Sequence, residues 1–219
     1  MRPSVCESVP KLGLKLNSLT VPSDPTVAVS HGAVFRAMNK ADGPKRIVQS
    51  NFGFLQIEER NLRLPAHRMA TPLDGDFDGK MYIDNVLDWV IKKEFVLSKH
   101  QTFRTRNWQV FGVNKELIIY QKIWVSDFDN ARDHYQAHSK FNKGAEVFGM
   151  LQIDLEPVRE EGRLEVKSGP RGDYYEIHYE LAMEVDGRNL TVKALCPPGG
   201  QCRAETQLCI AAAFIPGTD

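Results

Sequence analysis

The chain has 219 residues, 42% of them apolar, and its 28 Lys plus Arg balance 28 Asp plus Glu to a formal net charge of zero. This supply of apolar side chains is enough for the core of one ordinary domain or two small ones, which excludes a disordered chain. Neutrality removes the long-range attraction to nucleic acid and anionic lipid, and no apolar run approaches the roughly 20 residues of a membrane span. The N-terminus has no continuous apolar stretch of the secretory kind, so the sequence predicts a cytoplasmic protein with no nucleic-acid or membrane partner. In that compartment Cys6, Cys196, Cys202 and Cys209 are expected as reduced thiols.

In chain order, residues 1–22 carry little pattern beyond short apolar pieces, Leu12, Leu14, Leu16 and Leu19, that alternate like one strand. Asp24 can cap a helix that begins at Pro25, where a missing N–H costs nothing. Val27, Val34, Phe35 and Met38 form a stripe, and Gly43-Pro44 ends the run, so a helix is predicted over about 25–39. Ile47 to Ile57 reads as extended and mostly apolar. Glu58 to Lys80 is polar and broken by Pro65 and Pro72, which predicts a long surface loop over 58–80. Segment 81–96 is two-sided. Val86, Leu87, Val90 and Ile91 have helical spacing behind Asp84, while its Val-, Ile- and Phe-rich composition suits strands.

The later chain is β in character. Strands are predicted over Glu116 to Val125 and Val147 to Leu155, with Val147, Leu151, Ile153 and Leu155 on one face. Tyr175, Ile177, Tyr179, Leu181, Met183 and Val185 then alternate with more polar neighbours, the period of a half-buried strand. Asp186-Gly187 supplies a hairpin turn. Leu190, Val192 and Ala194 continue on the return strand, Pro197 to Gly200 turns again, and Ala204, Thr206, Leu208 and Ile210 form a third strand.

Several short patterns invite chemistry and are better explained without it. Asp74-Gly75-Asp76-Phe77-Asp78-Gly79 begins like a calcium loop, but position twelve, where a bidentate acid belongs, is Asn85. An acidic glycine turn is the expected reading. His134 and His138 have metal-ligand spacing without a third ligand nearby, which predicts a solvated face. Cys196 and Cys202 flank the second turn and read as small apolar strand residues. Arg171-Gly172-Asp173 reads as turn residues, and Gly199-Gly200 is followed by no helix with Lys-Ser/Thr, so it is no phosphate loop. No nucleophile–base–orienter set is visible, and no catalytic residue, metal ligand or cofactor-binding residue is assigned.

Asp24-Pro-Thr-Val-Ala-Val-Ser-His-Gly-Ala-Val34 resembles the helix that closes the actin-like ATPase domain of Hsp70 proteins. Gly43-Pro-Lys-Arg-Ile-Val-Gln-Ser-Asn-Phe-Gly-Phe54 is similar to the linker and first strand of their β-domain, and Leu117 to Val125, Val147 to Leu155 and Tyr175 to Ile210 follow the order of its later strands. The resemblance covers about residues 10–215 and is to the divergent Hsp70-like proteins of fungi and a sister branch in animals, which lack the long helical lid. It implies a mainly β chain: an antiparallel β-sandwich of the Hsp70 peptide-binding kind over 43–215, preceded in 1–42 by a helical remnant of the ATPase domain. The family's phosphate-binding loops do not occur in these residues, so the resemblance implies a chaperone-type module without its own ATPase. ATP and Mg²⁺ belong to the full-length relatives, and no cofactor is expected here. The implied partners are unfolded or apolar peptide segments, with Phe54, Phe103, Ile118 and Tyr120 as pocket candidates by position. The long loop 58–80 and a connection over 104–114 longer than usual depart from the family pattern. The alternative expectation is a non-catalytic interaction or dimerisation piece that self-associates through the apolar stripe of helix 25–39.

Overall fold

The computed structural model describes residues 46–97, 100–186, 189–210 and 212–214, together with residues 27, 30, 31 and 34. Residues 1–43 form one compact unit and residues 44–219 another. Segment 1–22 and most of helix 25–39 lie outside the described residues. Ser30, His31 and Val34 are helical, and the His31 N–H donates to the Val27 carbonyl at 2.8 Å. No helix among the described residues is long and apolar enough to cross a membrane.

The second unit is mainly β, and all of its strand pairs are antiparallel. One sheet has the order β3 (Leu73–Asp74), β4 (Met81–Ile91), β2 (Asn51–Glu59), β7 (Ile118–Ser126) and β8 (Glu146–Asp154). A second runs β12 (Cys202–Cys209), β11 (Asn189–Leu195), β10 (Gly172–Asp186) and β6 (His100–Gly112), with β9 (Val166–Gly169) also on β10. A small third sheet joins β13 (Ala212–Phe214), β1 (Arg46–Val48) and β5 (Val96–Leu97). The two large sheets share one core. Phe52, Phe54, Ile123, Leu151 and Ile153 come from the first, and Ile177, Leu181, Met183, Leu190 and Val192 from the second.

The alternation in β10 to β12 is the one the residues demand. Ile177, Tyr179, Leu181, Met183 and Val185 are buried, as are Leu190, Val192 and Ala194 across from them. Asp186 pairs with Asn189, so the connection is 187–188, which lies outside the described residues. The second turn closes with Gly200 N–H on the Pro197 carbonyl at 2.8 Å and Gly199 at φ +71, a value that favours glycine.

Three expectations need correction, and one open reading is resolved. Segment 104–114 is no long connection: residues 100–112 are a 13-residue strand whose backbone pairs with β10 along its whole length. Polar Thr105, Asn107 and Gln109 at its inward registers, and apolar Trp108 and Val110 at the outward ones, hide the alternation. Segment 58–80 is no plain loop either. β2 runs on to Glu59, a short helix α1 (Pro65–Met69) starts with proline where no N–H is needed, and β3 follows. Ambiguous segment 81–96 is strand, with β4 carrying most of it. Finally, Val147 is 51% exposed and does not share the inward face of Leu151 and Ile153. The β7–β8 register shifts between Ile123 and Trp124, leaving Phe148 as the extra residue of a bulge. The slip turns Phe148 inward, where its ring meets Phe52 edge-on at 5.5 Å.

Candidate functional site

A cavity of about 500 Å³ opens where the first sheet splays. Ladder pairing between β2 and β7 stops at Phe54 and Ile123, although β2 continues to Glu59 and β7 begins at Ile118. In place of the missing ladder, the Gln121 Nε2 donates to the Leu55 carbonyl at 2.8 Å. Leu55 to Ile57 and Ile119 to Lys122 line the two sides of the opening, and β6 residues Asn107 to Val110 line it from the second sheet.

The floor of the cavity is polar. Asn107 pairs with Tyr179 across β6 and β10, which places both on one face, the face that also carries core residues Ile177 and Leu181. The Tyr179 hydroxyl donates to Gln121 Oε1 at 3.1 Å, and burial raises the Tyr179 pKa, keeping the proton on. Gln121 is 4% exposed and fully engaged as a donor. Asn107 is 5% exposed, and its Nδ2 finds no acceptor among the described residues. A buried donor left without a partner costs about 1–3 kcal/mol, so this amide is in an expensive position.

The loop between β3 and β4 forms the outer wall. It closes on itself through Gly75 N–H to the Lys80 carbonyl at 2.7 Å and rests on the second sheet. Phe77 stacks on Tyr174 at 5.9 Å, and the Arg171 guanidinium donates to the Gly75 carbonyl at 3.2 Å. Gly169 permits the approach, because a Cβ there would lie 2.2 Å from the Phe77 carbonyl oxygen. Tyr82 leans on Trp108 at 5.3 Å. The lining carries Asp74, Asp76, Asp78 and Asp84 against Lys122. Desolvation opposes ionisation of Asp78, but donation from Tyr82 and Lys80 outweighs it and lowers its pKa, so the carboxylate is charged.

Of the four pocket candidates, Tyr120 alone lines this cavity, 58% exposed at its mouth. Phe54 is fully buried in the shared core, Phe103 packs edge-on against Phe95 at 5.3 Å, and Ile118 sits half-buried opposite Asp154. The four are not brought together. Asp74, Asp76 and Asp78 do not converge as metal ligands; they belong to the wall loop.

His134 has partners other than His138. It adopts φ +68 and its Nδ1 lies 3.0 Å from Glu58, which also meets the buried His67 at 2.9 Å and accepts from Gln56 Nε2 at 2.9 Å. The three ligand atoms lie within 4.8 Å of one another, a separation a metal ion could bridge. The hydrogen bonding argues otherwise. His67 Nδ1 accepts the Asn61 N–H at 3.0 Å, so its proton is on Nε2, pointing at Glu58. The lone pair a metal needs is not offered there, and the group ties α1 and the 134–137 segment to β2.

No protein-family model and no curated protein matches the chain. The cavity therefore stands on its own geometry. Its key residues, Asn107, Gln121 and Tyr179, were not among the sequence candidates. The one signal for them is an amide at an inward register of a strand, and that register becomes visible only once β6 is paired with β10.

Proposed function

We propose that this chain is a chaperone-type polypeptide-binding module of the Hsp70-like kind, which holds an extended segment with one side chain in the cavity and catalyses nothing itself. The observation that carries the reading is the splayed ladder. Beyond Phe54, β2 has lost β7 as a neighbour, and the separated strands frame a slot into which extended main chain can hydrogen-bond. Apolar side chains at the mouth, Ile57 at 45%, Leu73 at 52% and Tyr120 at 58% exposed, supply the contact surface that a segment rich in apolar residues needs. The four lining carboxylates repel a triphosphate, so ATP is expected to leave binding unchanged.

Titrating a fluorescent Leu- and Gln-containing peptide into the purified chain, with and without Mg-ATP, tests this. Saturable binding indifferent to nucleotide is expected. Affinity that changes with ATP would overturn the nucleotide-independent part, and no binding at all would leave an interaction module without peptide capture.

A further inference from the structure

We propose that the crossover from β2 to β4, residues 60–80, is a self-complementary face through which two copies of this chain pair about a two-fold axis. The proposal goes beyond the polypeptide-binding reading and needs no peptide in the cavity. The two halves of the crossover carry opposite charge. Residues 60–73 hold Arg60, Arg63 and Arg68 and no carboxylate, whereas residues 74–80 hold Asp74, Asp76 and Asp78 against Lys80. Some of this charge is met within the chain. Asp78 accepts from the Tyr82 hydroxyl and the Lys80 N–H, Lys80 pairs with Glu59 at 2.9 Å, and Asp74 lies 3.6 Å from Arg171. The exposed Arg63 and Arg68 guanidinium groups and the exposed Asp76 carboxylate have no partner among the described residues.

Apolar side chains accompany these charges. Leu62 at 59% and Met69 at 65% exposed stand on the basic half, and Leu73 at 52% stands where the halves meet. Exposed apolar groups among arginines are the composition of a protein interface, where Met and Arg are enriched. The face is also held in shape before any association. The Arg60 N–H donates to the Met81 carbonyl at 2.8 Å, which ties the start of the crossover to the strand at its end. In α1, His67 reaches back to Glu58 at 2.9 Å, and in the acidic half Phe77 stacks on Tyr174 at 5.9 Å. Segments fixed in this way lose little freedom on binding.

A basic apolar surface beside an acidic one is matched by the same surface turned half round. In a two-fold pair each basic half lies on the acidic half of the other copy, so one set of contacts is made twice. The formal net charge of zero means that two copies meet without overall repulsion.

Sedimentation velocity of the full chain over a wide concentration series tests this. A reversible monomer–dimer equilibrium is expected, weakened by added salt. Arg63→Glu with Arg68→Glu makes both halves acidic, and Asp74→Lys with Asp76→Lys makes both basic. Each double variant should dimerise about tenfold or more weakly than wild type, with circular dichroism confirming the fold. An equimolar mixture of the two variants should restore a dimer containing one copy of each, because opposite charges then face at both contacts. Should either variant not fold, the concentration and salt dependence of wild type decides. A wild type that stays monomeric throughout would overturn the proposal, as would a dimer indifferent to salt and to both charge reversals. Growth beyond two copies would overturn the two-fold arrangement.

Discussion

Asp88 shows how a single carboxylate is held between the sheets at a cost. Its Oδ2 accepts from the Thr105 hydroxyl at 2.7 Å, joining β4 to β6. Desolvation raises its pKa, only partly offset by Thr105, and the nearby Asp133 and Glu58 raise it further. An acid whose folded pKa exceeds its unfolded value of about 3.9 binds its proton more tightly when folded. Its contribution to stability is therefore complete below that pH and lost as the pH rises through the folded pKa. At pH 7 the ionised group is a net burden. Asp88→Asn keeps an acceptor for Thr105 and removes the charge, so urea unfolding at pH 7 should show a gain of about 0.5–1 kcal/mol. Below pH 3 the gain should vanish; an equal gain at both pH values would contradict the assignment.

The cysteines offer a second check on single residues. Burial raises the Cys196 thiol, whereas Cys202 and Cys209 are exposed. Alkylation followed by peptide mass spectrometry should modify Cys202 and Cys209 in minutes and Cys196 only on unfolding. Rapid modification of Cys196 in the native protein would contradict its burial. At this scale little of the site was legible. Nothing local marks Asn107 as buried, because its neighbours Arg106 and Gln109 are polar and its inward register is set by Tyr179, more than seventy positions away.

Legibility improves for elements whose two faces differ. β10 and β11 alternate cleanly in sequence and turn their apolar set to the core, so composition and period named them, although Glu180 and Ala182 on the opposite face of β10 are buried too. β4 does not alternate because both of its faces are covered. Ile91 enters the shared core, while Leu87 and Trp89 pack with Ala137 on the other side. The 134–137 segment also bonds to its edge, with Leu87 N–H on the Tyr135 carbonyl at 3.0 Å and Ala137 N–H on Asn85 at 2.9 Å. Two-sided burial produces adjacent apolar pairs, which at sequence level imitate a helical stripe. β8 hides its bulge for a related reason, since one added residue reverses the phase without changing composition.

Close approach between β2 and β4 makes a further prediction for elements. A Cβ on Gly53 would lie 2.2 Å from the Asp88 carbonyl oxygen, backbone that cannot move aside cheaply. Gly53→Ala should cost about 1–3 kcal/mol, the usual range for overpacking, measured by chemical denaturation. A neutral substitution would show that the two strands lie farther apart. By contrast Gly169→Ala should act on the wall loop, displacing Phe77 and weakening peptide binding more than stability. The comparison of peptide affinity with melting temperature in that variant separates the two effects.

Over the whole second unit, antiparallel sheets and one shared core follow from the residue pattern. The cavity follows from where that pattern fails. β2 and β7 part after Phe54 and Ile123, polar side chains occupy inward positions, and a loop from one sheet rests on the other. Conflict between polar residues and a buried location marks functional sites in a chain that is otherwise consistent. The central claim is that this cavity holds a peptide side chain. Gln109 lines it on the face shared with core residue Ile177, so Gln109→Trp places an indole into the space. Anisotropy of the fluorescent Leu- and Gln-containing peptide against wild type and Gln109→Trp tests the claim most directly. The account predicts saturable binding that falls at least tenfold in the variant, on the scale of about 1.4 kcal/mol per decade, with an unchanged melting temperature. Equal binding by the two proteins, or none by wild type, would contradict it.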